Sequence, residues 1–128
     1  MILGIGMDIV EIKRFDTWHT YSQTKLKKIF SDTEIAYCLS SPLKSSERFA
    51  ARFAAKEALY KAWVHAFKEK IPFLTLCKQA SIMHSNLGFP IIADTTWLKK
   101  RVHQDISFHI TISHTDTLAI AQVLIEAL

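Results

Sequence analysis

Two carboxylates and one ammonium are the groups in this sequence best suited to catalysis. Asp8 sits in an apolar N-terminal run, ILGIGMDIVEI at residues 2–12, where a lone carboxylate is costly unless it meets a cation, a metal or several N–H donors. Glu57 and Lys61 lie one helical turn apart in SERFAARFAAKEALYKAWVHAF, residues 46–67. Glu57 falls within a few tens of degrees of the Phe49/Phe53/Tyr60 stripe, taking about 100° per residue. On this helix alone the Glu57–Lys61 pair reads as an i,i+4 contact that stabilises by about 0.2–0.5 kcal/mol. Asp8 and Glu57 together could instead hold a hard cation. Magnesium takes one or two carboxylates, keeps several waters and completes its shell with substrate phosphates.

A second set of groups points to anions. Lys44, Arg48, Arg52 and Lys56 recur every four residues. Like charges at that spacing repel on an isolated helix, and a bound polyanion would turn the repulsion into attraction. The alternative is a solvated face with Glu47 as its local counter-ion. In SFHITIS, residues 107–113, Ser107, His109, Thr111 and Ser113 share one face, with His114 following. That face is either the solvent side of an edge strand or a row of donors for a phosphate. None of the six histidines forms an HExxH motif or a close Cys/His cluster, which argues against zinc.

These groups need elements to position them. The 2–12 run reads as a strand buried on both faces, with Gly4 and Gly6 suggesting close approach of a backbone or ligand. The spacing predicts a helix over 15–30, with Trp18, Tyr21, Leu26 and Ile29 as an imperfect apolar stripe. Ser31-Asp32-Thr33-Glu34 fits a capping box at the start of a short helix through Leu39. The 46–67 segment is the strongest helix signal. Strands are expected at 79–84 and 89–93 around a turn at 86–88, a short helix at 94–103, and a hairpin over 107–125. Helices first and antiparallel strands afterwards give an α+β class.

Composition bounds the rest. The chain has 128 residues, 49% hydrophobic and 22% charged, with three glycines and three prolines. That suits a single domain, 1–128, with a real core and no long linker. Asp8 and Glu11 break the apolar N-terminus too early for a signal peptide, and no run approaches the ~18 apolar residues of a membrane span. A cytoplasmic protein with no membrane partner is expected. Cys38 and Cys77 stand apart and read as small buried hydrophobes in a reducing compartment. The net charge of +4 calls for a polyanionic partner without choosing one.

The unusual residues occur together in one family. The chain resembles holo-[acyl-carrier-protein] synthase, the small 4′-phosphopantetheinyl transferase of fatty-acid synthesis. The matching pieces are GIGMDIVEIKRF at 4–15, RFAAKEALYKA at 52–62, HITISHT at 109–115 and AIAQVLIE at 119–126. They agree in order and spacing from end to end. The resemblance implies a 4′-phosphopantetheinyl transferase fold with an antiparallel sheet packed on a long helix. It implies magnesium-dependent transfer of phosphopantetheine from coenzyme A to a serine of apo acyl carrier protein, leaving adenosine 3′,5′-bisphosphate. Asp8 and Glu57 would hold the magnesium, and Lys61 would lie near the reacting phosphate. Glu57, or a metal-bound water it orients, would accept the serine proton.

Arg52, Lys56, Lys61, Gly88, Pro90, Ser113 and His114 would bind coenzyme A, and Arg14, Lys25 and Lys28 would dock the acidic carrier protein. A homotrimer with active sites between subunits is also implied. The family turn N-x-x-G-K-P departs here to Asn86-Leu87-Gly88-Phe89-Pro90, so one coenzyme-facing charge is missing from the turn or is supplied elsewhere. The carrier protein gives the positive charge a partner without nucleic acid. The rival reading is a non-catalytic basic module for RNA or another polyanion, although no RRM, KH or zinc-finger signature supports it.

Overall fold

The computed structural model describes residues 1–128. Strand β1 (Ile2–Glu11) pairs antiparallel with β5 (Leu118–Ala127), and β4 (Ile106–His114) extends the sheet in the order β1-β5-β4. The first strand therefore lies beside the last. Helix α3 (Ser45–Phe67) crosses the inner face of this sheet and packs mainly on β1 and β5. Around it sit α1 (Gln23–Leu26), α2 (Asp32–Leu39), α4 (Phe73–Cys77) and α5 (Thr96–Arg101), with a separate ribbon of β2 (Ser81–His84) and β3 (Pro90–Ala93). The architecture is the expected α+β arrangement of sheet on long helix. No helix is long and apolar enough to cross a membrane.

The α3–β1 contact is a close approach of two backbones. On β1, Gly4, Gly6 and Val10 are buried toward the helix. A Cβ built on Gly4 would lie 2.3 Å from the Ala62 carbonyl oxygen, and one on Gly6 would lie 2.1 Å from that of Ala58. No side chain fits there, so glycine on the strand and alanine on the helix are one solution to one spacing. Side chains of α3 also satisfy backbone groups of β1. The Ile5 N–H donates to His65 Nδ1 at 3.1 Å, and Lys61 Nζ donates to the Met7 carbonyl at 3.0 Å.

Two expectations need correction. Strand β1 is buried on one face only: Ile5, Met7 and Ile9 are 43%, 50% and 55% exposed, because no layer of this chain covers the outer face of the sheet. The helix expected over 15–30 is three short pieces instead, two 3-10 turns at Ile12–Phe15 and Trp18–Thr20 followed by α1. Ser22 starts α1 afresh, its hydroxyl accepting from the Lys25 N–H at 3.2 Å. Threonine and serine at 17, 20 and 22 are weak helix formers. Trp18 turns inward against Phe15 and Phe53, at 4.5 and 5.8 Å between centroids.

Other local expectations hold. The capping box of α2 is complete, with Ser31 Oγ accepting from the Glu34 N–H and Glu34 Oε1 accepting from the Ser31 N–H. Gly88 takes φ +88° in the β2–β3 turn, a conformation glycine adopts without strain. Cys38 and Cys77 are buried, and burial pushes both thiols up to about 12.

Gly6→Ala should push β1 off α3 and destabilise the fold by about 1–3 kcal/mol or more, the cost of overpacking. Urea unfolding measures this, and a wild-type midpoint would contradict the packing described.

Candidate active site

The strand periodicity that buries Gly4 and Gly6 also points Asp8 at α3, since residues two apart share a face. Lys61 rises from α3 to meet it: Nζ donates to Asp8 Oδ1 at 3.1 Å and to the Met7 carbonyl at 3.0 Å. The Asp8 side chain is only 16% exposed, whereas that of Lys61 is 51% exposed. The ammonium thus pairs with the strand carboxylate and closes no ion pair with Glu57, its i−4 neighbour.

Glu57 is half-buried one turn before Lys61. Its carboxyl is held above the usual range, first by burial and then by the negative charge of Asp8. Lys61 and Arg14 act in the opposite direction. Two carboxylates therefore share one field, with two cations partly offsetting it. A group whose folded pKa is raised contributes stability below its unfolded pKa and loses it as pH rises through the folded one. Ionised Glu57 is a cost that a cation between the two carboxylates would remove.

The donor set fits magnesium. No group of three or more His, Cys, Asp and Glu side chains is gathered to enclose an ion, as zinc or calcium would require. Two carboxylates are what a magnesium ion needs when waters and substrate phosphates supply the rest.

Beyond this centre lies a cavity of about 230 Å³. Of the residues expected at coenzyme A, Arg52, Gly88, Pro90 and His114 all line it. Tyr37, Arg48 and His84 line it as well, and the sequence reading missed Tyr37 and His84. Tyr37 stacks between the two guanidiniums, 4.1 Å from each, and its ring lies 5.0 Å from that of His84. Arg48 Nη1 donates to the Tyr37 carbonyl and to Ser40 Oγ. Burial, then Arg52 and Arg48, hold the His84 imidazole below its ordinary range. His114 Nε2 meets Glu47 Oε1 at 3.0 Å. Arg52 is buried, and its Nε–H has no acceptor. Arg48 was visible in the four-residue repeat of cations, whereas nothing in the sequence marked Tyr37.

Lys56 does not join this site. It is wholly buried, and its ammonium donates to Glu34 Oε1 at 2.8 Å and to the Cys77 and Ala80 carbonyls at 2.9 and 2.7 Å. All three N–H groups are used, so the expected contact with coenzyme A phosphates is excluded. The cationic repeat is not a solvated face either: Lys44 is exposed, Arg48 half-buried, Arg52 and Lys56 buried. Ser113 is also apart. It pairs with Ile120 on the outer face of the sheet, opposite to the side facing α3, and is not a cavity wall.

The expected docking residues are exposed. The Arg14 guanidinium lies 4.9 Å from the Phe53 ring centre and Lys25 Nζ lies 3.7 Å from that of Tyr21, while Lys28 stands free on the surface. Arg14 is close enough to Glu57 to lower its pKa, so this surface borders the reaction centre.

Replacing Asp8 by Asn should move the Glu57 titration down, and replacing Lys61 by Met should move it up. Carboxyl-carbon NMR across pH 3–8 reads both directions. An unmoved Glu57 in Asp8→Asn would separate the two groups.

Comparison with known proteins finds relatives along the whole chain. The family model described as the 4′-phosphopantetheinyl transferase superfamily matches residues 4–123. Holo-[acyl-carrier-protein] synthase of Geobacillus sp. (strain WCH70) is 35% identical, covering 100% of this chain and 99% of the relative. That of Clostridium tetani is 34% identical over 98% and 97%. Among solved structures, the Bacillus anthracis holo-(acyl-carrier-protein) synthase in complex with CoA (3′,5′-ADP) superposes with a TM-score of 0.75 at 29% identity. It covers 100% of this chain and 99% of its own. The Helicobacter pylori enzyme in complex with coenzyme A gives a TM-score of 0.73 at 28% identity, over 95% and 99%.

Proposed function

The chain belongs to the 4′-phosphopantetheinyl transferase superfamily, as an enzyme of the holo-[acyl-carrier-protein] synthase type, and we infer that Asp8, Glu57 and Lys61 form its reaction centre. The enzyme transfers 4′-phosphopantetheine from coenzyme A to a serine of apo acyl carrier protein. The rival reading, a polyanion-binding module, is not supported.

In the transfer, the serine oxygen forms a bond to the phosphorus that carries pantetheine. The P–O bond to the other half of the pyrophosphate breaks, and adenosine 3′,5′-bisphosphate leaves. Glu57, directly or through a water it orients, takes the serine proton as general base. Lys61, fixed by Asp8 and the Met7 carbonyl, offers its charge to the pyrophosphate as negative charge moves toward the leaving group. Magnesium held by Asp8 and Glu57 would supply further charge stabilisation at the pyrophosphate. The observation that carries this assignment is the Asp8–Lys61 contact with Glu57 coupled to both.

The nucleotide end of coenzyme A is assigned to the cavity of Arg52, Gly88, Pro90 and His114, with Arg48 supplying charge that the Phe89 turn lacks and His84 a neutral ring beside it. Arg14, Lys25 and Lys28 meet the acidic carrier protein. The exposed apolar row Ile5, Met7 and Ile9 favours association through the outer face of β1, in a homotrimer with active sites between neighbouring subunits. Fatty-acid synthesis in the cytoplasm is the setting proposed.

Glu57→Gln should fold normally and lose about 100-fold or more in kcat, the usual loss when a general base is removed. Chelation of magnesium should abolish wild-type turnover. Steady-state kinetics with coenzyme A and apo carrier protein decide this, and a folded Glu57→Gln variant at full rate would remove Glu57 from the centre.

A further inference from the structure

The Lys56–Glu34 contact is the most deeply buried ion pair in the molecule, with both side chains 0% exposed. It lies outside the reaction centre, and the transfer does not use it. The Lys56 ammonium, on α3, holds the Glu34 carboxylate of α2, the carbonyl of Cys77 at the end of α4 and the carbonyl of Ala80 just before β2. Glu34 also accepts from the Ile82 N–H of β2 at 2.9 Å and from the Ser31 N–H at 2.8 Å. Five hydrogen bonds thus tie four elements to one point.

The walls of the cavity hang from those same elements, close to that point. Tyr37 is three residues beyond Glu34 on α2. Arg52 and Arg48 are one and two turns before Lys56 on α3. His84 is two residues beyond Ile82 on β2. Apolar packing alone holds such elements together without fixing their offset, because it is non-directional. Directed bonds of 2.7–2.9 Å to a shared ammonium do fix it.

We propose that Lys56 and Glu34 are a positioning pair that sets the coenzyme A cavity, holding Tyr37, Arg52 and His84 at their mutual spacing beside Glu57. This deepens the functional reading and rests on it. Neither residue touches coenzyme A; both act through the residues that do. A buried ion pair adds little to stability over well-packed neutral side chains of the same volume, so geometry and stability can be separated by experiment.

The test is the near-isosteric neutral pair Lys56→Met with Glu34→Gln. It should stay folded at the assay temperature with a lowered thermal midpoint, because the Cys77 and Ala80 carbonyls lose their donor. Its KM for coenzyme A should rise about tenfold or more, because small displacements of binding groups are expensive. Its kcat at saturating coenzyme A and its KM for carrier protein should change less than about threefold. Calorimetric binding of adenosine 3′,5′-bisphosphate should weaken in step, a readout independent of turnover. A folded double variant with wild-type KM and nucleotide affinity overturns the proposal, as does a loss confined to kcat. If the double variant does not fold, amide exchange on the wild type decides. The Ile82 N–H should exchange as slowly as the core of α3; exchange at the rate of an unprotected amide overturns the proposal. A wild-type protein that neither turns over coenzyme A nor binds the bisphosphate overturns the functional reading itself, and the positioning role with it.

Discussion

The close approach of β1 to α3 is the contact on which the rest depends. Two strand residues without side chains let the strand backbone rest against the carbonyls of Ala58 and Ala62. The same alternation carries Asp8, two residues beyond Gly6, onto the face that meets the helix. Lys61 can then span from α3 to the strand, bonding both the Asp8 carboxylate and the Met7 carbonyl. A wider separation would put Asp8 beyond the influence of Glu57. The Asp8 contribution to the raised pKa of Glu57, after that of burial, and the pairing of Lys61 both follow from this one spacing.

A second constraint runs along α3 itself. The cations enter the protein progressively, from exposed Lys44 just before the helix through half-buried Arg48 to buried Arg52 and Lys56. Each buried charge finds its own solution. Lys56 meets a carboxylate and two carbonyls. Arg52 rests on the Tyr37 ring and lines the cavity. Arg48, Arg52 and Lys56 of one helix therefore divide between the cavity wall and the buried framework. Spacing cannot reveal that division, because burial is set by elements elsewhere in the chain.

Features with local causes were legible in sequence: the long helix from its alanine-rich periodicity, the capping box from Ser31 and Glu34, and the final hairpin from strict alternation. Asp8, Glu57 and Lys61 stood out because charge in apolar surroundings needs a reason, and family likeness supplied one. Features set by tertiary contacts were not legible. The 15–30 segment has helical spacing, yet Trp18 gains more by joining Phe15 and Phe53 than by continuing a helix. Lys56 matched the cationic repeat but is claimed by Glu34, 22 residues earlier. Ser113 and His114 are adjacent in sequence and so fall on opposite faces of β4, and only His114 reaches the cavity.

The most direct measurement is the intact mass of a carrier protein. Wild-type enzyme, coenzyme A, magnesium and apo acyl carrier protein are combined, beside a control with chelator. The expected result is a carrier protein heavier by one phosphopantetheine in the presence of metal and unchanged in its absence. A folded enzyme that leaves several apo carrier proteins at their starting mass would contradict the transferase reading. Transfer that persists undiminished under chelation would contradict the role given to Asp8 and Glu57.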